Sequence, residues 1–127
     1  MKAVFLIGRI VFGGFFLYNG INHFKQQKVL SQYAGAKNVP HPDLAVMASG
    51  LAMAVGGASV ILGLKPQIGT LAIMAFLGTA SPLMHNFWTV QDPNQRQQEL
   101  INFSKNIALL GAALALAGVE DWPASIA

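Results

Sequence analysis

The sequence predicts an all-α membrane protein, a bundle of four transmembrane helices, and three observations carry that prediction. Of 127 residues, 54% are hydrophobic and only 10% are charged, where soluble domains carry roughly a quarter. Four segments stay apolar for about the 20 residues needed to cross a hydrocarbon core of about 30 Å. Polar or Pro- and Gly-bearing stretches separate those segments. Most of the surface must then face lipid.

The first span covers about residues 3–24. Its apolar run after Met1 and Lys2 resembles a signal peptide, but Arg9 interrupts it and the first small-x-small triplet, 34–36, lies far beyond it. An uncleaved first span is expected. Residues 25–43 read as a polar connection ending in Pro40, His41, Pro42 and Asp43, with Pro42 suited to a first helical turn. The second span, 44–64, has no charge at all. Gly63, Lys65 and Pro66 then make a tight turn into the third span, 68–87. Asp92, Pro93 and Asn94 open a polar loop, the fourth span covers 103–119, and Trp122 and Pro123 follow near the interface. No repeat or low-complexity segment divides the chain, so residues 1–127 are expected to form one membrane domain.

Membrane helices associate through close packing at small residues. Gly50, Ala54 and Ala58 on the second span, and Gly111 with Ala115 and Ala108 with Ala112 on the fourth, are expected to face the bundle or a second copy of the chain. The net charge of +3 is scattered and forms no basic run, so nucleic acid is not an expected partner. The absence of cysteine excludes a disulfide, a thiolate metal site and a dithiol relay. Lys2 and Lys65 mark one side of the membrane, and Lys25, Lys28, Lys37 and Arg96 the other. The positive-inside rule then puts the two long loops in the cytoplasm of a cell-membrane protein and the termini outside.

Polar groups inside hydrocarbon are costly, so their places in the spans are informative. Asn19, Asn22 and His23 end the first span; Ser81, His85, Asn86 and Trp88 end the third; Asn102, Lys105 and Asn106 begin the fourth. Antiparallel threading brings all three ends to one side. Spacings of i, i+3 and i+4, or i, i+4 and i+7, place each set on one helix face. Two imidazoles can relay a proton or ligate a metal, Lys105 can hold an anion or a carbonyl oxygen, and the asparagine amides can bind a quinone headgroup beside Trp88. No metal site is expected, because the cluster holds no carboxylate and a metal wants three or four ligands. The alternative is that these residue types only anchor helix ends among the lipid headgroups. His41 and Glu99 read as solvated loop groups. Arg9 lies about two turns inside the first span at the other end, where Glu120 and Asp121 are candidates for a structural ion pair.

With these residues in view, the chain resembles the DoxX family of small four-helix membrane proteins. The likeness rests on Gly8 and Arg9, Gly13 and Gly14, and Gly20 before Asn22 and His23; on His85, Asn86, Phe87 and Trp88; and on Lys105 and Asn106 before the Gly- and Ala-rich run. The resemblance implies a four-helix bundle and a respiratory or redox setting linked to quinone, with Arg9, His85 and Lys105 as positions to test. Without cysteine, any sulfur chemistry would depend on a partner. Two functions stay open: an accessory subunit that anchors a membrane or peripheral redox enzyme, and a self-sufficient enzyme or binder of a quinone or other small molecule. A small transporter is a third, although no charged pair or broken helix marks the midplane.

Overall fold

Three of the breaks between apolar runs put proline at the first turn of the next helix, where its missing N–H costs nothing. The structure, a computed structural model, describes residues 2–125. Its helices are α1 (Lys2–Lys25), α2 (Gln27–Ala36), α3 (Pro42–Leu62), α4 (Pro66–Met84) and α5 (Pro93–Ala117), with a single 3-10 turn at Phe87–Thr89 before α5. There is no strand among the described residues. α1, α3, α4 and α5 are long and apolar enough to cross a membrane, and the chain is a multi-pass, all-α helical bundle.

Three element boundaries differ from the sequence expectation. The polar connection at 25–43 contains a helix, α2, whose ten residues bury Ser31 and Ala34. α4 stops at Met84 rather than 87: Pro82 removes an internal N–H and crowds the carbonyl one turn back, which weakens the helix end. α5 begins at Pro93 rather than 103, because Asp92 and Pro93 are an N-cap and first-turn pair rather than the opening of a loop.

The spans are arrayed with α1 on α3, α3 on α4 and α4 on α5. Glycine sets how closely α1 and α3 meet. A Cβ added at Gly20 would lie 2.5 Å from the Ala54 nitrogen, and one at Gly13 would lie 2.6 Å from the Gly57 carbonyl oxygen. No larger residue fits either place without separating the helices. At the α3–α4 turn, Gly63 takes φ +69, a left-handed conformation that glycine adopts without penalty. Phe16, Met53, Val60, Ile73, Leu77, Ala113 and Trp122 form the core, while Val4, Val11, Leu51 and Leu71 point outward, as a lipid-facing surface requires.

Gly50 packs on α1, but the small residues of α5 do not face the bundle. Ala108, Gly111, Ala112 and Ala115 are exposed. α5 instead meets the core through Ala113 flanked by Leu109, Leu110 and Leu116, whose bulk fills the space beside α4.

Candidate functional site

Antiparallel threading brings the end of α1, the start of α3, the end of α4 and the first half of α5 to one end of the bundle, beside α2. Between them lies a cavity of about 280 Å³. Leu30, Val46, Phe76 and Leu83 supply much of its apolar wall, and its polar side chains are His23, Tyr33, Ser49, Thr79, His85 and Asn106. α2 carries Leu30, Tyr33 and Ala34 to the cavity on one face, at i, i+3 and i+4.

His23 is fixed by its Nδ1, which lies 3.2 Å from the Val46 carbonyl oxygen and 3.1 Å from Ser49 Oγ. The His23 ring meets Phe76 edge-on at 6.1 Å between centroids. His85 follows the end of α4 and turns its Nδ1 toward Glu99 Oε1 at 3.5 Å, longer than an ordinary hydrogen bond. Glu99 is only 7% exposed. Its other oxygen, Oε2, lies 2.9 Å from Lys37 Nζ, and the same ammonium donates to Asn86 Oδ1 at 3.2 Å. The Tyr33 hydroxyl reaches toward both Glu99 oxygens at 3.4 and 3.5 Å. Burial first, and then the Glu99 carboxylate, push the Tyr33 phenol above its ordinary pKa.

Of the residues singled out in the sequence, His23, His85 and Asn106 meet at the cavity, and Asn86 joins through Lys37. The others stand apart. Asn19 donates to the Phe15 carbonyl of its own helix at 2.7 Å. Asn22 and Asn102 are half-buried outside the cavity wall. Trp88 is 52% exposed and stacks edge-on with Phe87 and Phe103. Lys105 is exposed, its ammonium 5.9 Å from the Phe15 ring centroid. The shared face expected for Ser81, His85 and Trp88 is lost because α4 ends before His85. Among the described residues, no group of three His, Asp or Glu side chains is placed to hold a metal ion.

Glu99 needs a correction: it is a buried member of a charged network rather than a solvated loop group. With α5 starting at Pro93, Glu99, Asn102 and Asn106 fall at i, i+3 and i+7, and from that side of the helix Asn106 reaches the cavity and Glu99 the Lys37 ammonium.

The opposite end holds Arg9, which is fully buried. Its Nη1 donates to the Pro123 carbonyl, and its Nη2 donates to Ile61 O at 3.1 Å and Ala124 O at 3.0 Å. The guanidinium also lies 5.4 Å from the Trp122 ring centroid. The expected ion pair is replaced by backbone. Glu120 and Asp121 are exposed and form no ion pair with Arg9 among the described residues. The chain past α5 folds back so that carbonyls, which need no desolvation of a second charge, meet the cation.

Comparison with curated proteins and with solved structures returns no match. The model of one family, DoxX, matches residues 4–86, more than half of the 127. That stretch runs from α1 through α4 and carries Arg9, His23, Lys37 and His85, so the chain belongs to the DoxX family.

Proposed function

We propose that this protein is an accessory membrane subunit of a quinone-linked redox system, holding a quinone-class ring at the bundle end while an oxidoreductase partner handles the electrons. The carrying observation is the cavity of about 280 Å³, mostly apolar and edged by two imidazoles. Small-molecule sites have this character, from about 300 Å³ upward, and the volume suits a single substituted ring with any tail left outside. His23, His85 and Asn106 would orient the ring, and the Lys37–Glu99 pair would keep α2 in place beside it. Lys25, Lys28, Lys37 and Arg96 at this end favour a cytoplasmic position for it, with the termini outside.

The test is purification of the tagged chain from its native membrane in mild detergent, followed by mass spectrometry and an optical spectrum, with quinone binding measured on the isolated chain. Recovery of an oxidoreductase together with quinone binding supports the accessory role. Binding and electron transfer by the chain alone would favour a self-sufficient enzyme. Loss of both partner and ligand would sink the reading. Because the chain has no native cysteine, single substitutions Lys28→Cys and Lys65→Cys, probed with an impermeant thiol reagent, report the orientation.

A further inference from the structure

The cavity's hydrogen-bonding polarity follows from where its own protons go. A carbonyl oxygen only accepts, so the contact between His23 Nδ1 and Val46 O at 3.2 Å places the ring proton on Nδ1. Ser49 donates its own hydroxyl proton to the same carbonyl at 3.0 Å, and so it too receives from the ring. In a neutral imidazole the remaining nitrogen, Nε2, is then an acceptor. His85 Nδ1 makes no hydrogen bond of ordinary length but faces Glu99 Oε1 at 3.5 Å, an oxygen of the carboxylate that pairs with Lys37 at 2.9 Å and an acceptor for the ring proton.

The hydroxyls follow suit. Thr79 donates to Ala75 O at 2.8 Å and to Phe76 O at 3.1 Å, and Tyr33 directs its proton at Glu99. Of the six polar side chains at the cavity, His85 and Asn106 make no hydrogen bond of ordinary length within the described residues, and Asn106 alone carries amide protons to give. The cavity therefore presents lone pairs.

We infer that this cavity, granted the reading of it as a ring-binding site, selects a hydrogen-bond-donating ligand: an aromatic diol, the hydroquinone form of a quinone rather than the oxidised dicarbonyl. The hydroxyls of a diol can donate to an imidazole Nε2, which a carbonyl oxygen cannot do. A quinone finds a side-chain donor only in Asn106 and leaves its other carbonyl oxygen facing lone pairs, the circumstance in which polar sites discriminate most strongly.

The experiment is equilibrium binding under anaerobic conditions to the full chain in lipid nanodiscs, with trimethylhydroquinone and trimethylbenzoquinone as one pair and their decyl-tailed counterparts as another. The hydroquinone is expected to bind at least about tenfold tighter, equivalent to raising the two-electron midpoint potential of the bound pair by about 30 mV. Asn106→Leu should weaken the quinone more than the hydroquinone and widen the gap. Selectivity with the ring-only pair points to a ligand taken from water, and selectivity confined to the tailed pair to one taken from the bilayer; both support the inference. Equal affinity, or preference for the quinone, overturns it and leaves the ring-binding site standing. Failure of every probe to bind removes the site and the inference together.

Discussion

Lys37 Nζ and Glu99 Oε2 meet at 2.9 Å across 62 residues of sequence, tying the end of α2 to the first half of α5. Each is more valuable with its partner than the geometry of a surface pair would suggest, because Glu99 has little water to fall back on. Replacing Lys37 with Met leaves a buried carboxylate without its cation and is expected to cost about 1–3 kcal/mol. Lys37→Met combined with Glu99→Gln should recover much of that loss. Thermal unfolding of the two single variants and the double variant in one detergent measures the coupling. Strict additivity would show that the contact contributes nothing.

Arg9→Lys should destabilise the opposite end by about 2 kcal/mol, since an ammonium cannot reach three carbonyls from one fork and each charged hydrogen bond contributes about 1.5–3 kcal/mol. Limited proteolysis gives a local reading. Cleavage around Trp122 should accelerate in the variant while the bundle resists.

The glycines separate into two groups. Gly20→Ala places a methyl against the α3 backbone and is expected to cost about 1–3 kcal/mol. Gly14→Ala meets nothing within 4 Å and should be neutral or stabilise by about 0.5–1 kcal/mol through better helix propensity. The melting temperature should therefore fall for Gly20→Ala and hold or rise for Gly14→Ala, and an unchanged value for Gly20→Ala would contradict the close approach of α1 and α3.

Ala80→Leu extends a side chain into the cavity rather than into packed core. Ring binding should fall more than about tenfold while the melting temperature stays within the range of a tolerated substitution. Binding that survives the filled cavity would place the ligand elsewhere.

The spans were legible because lipid imposes length and hydropathy on every crossing helix, and the gathering of His23, His85 and Asn106 followed from antiparallel threading. What escaped was short or not written in side chains. α2 is ten residues inside a polar connection, and its one available signal was the Leu30, Tyr33, Ala34 spacing. Glu99 looked like a loop residue because an apolar window starts α5 ten residues late, past the Asp92–Pro93 start signal. His85 and Trp88 share a helical face only on paper, since α4 stops at Met84. For Arg9, a search among side chains finds Glu120 and Asp121; the carbonyls that receive it belong to the backbone, which every sequence has everywhere.

The Arg9 cluster also orders events in time. α1 is synthesised first, yet two of the carbonyls that meet its cation stand 114 and 115 residues downstream. Throughout synthesis of the later spans the first helix holds an incompletely matched charge, able to lean toward the headgroups or stay beside the insertion machinery. Only after α5 has been made can the chain close over the guanidinium. Arg9 thus reaches its final environment last, and the bundle registers its own completion at the residue where a buried charge would otherwise be hardest to keep.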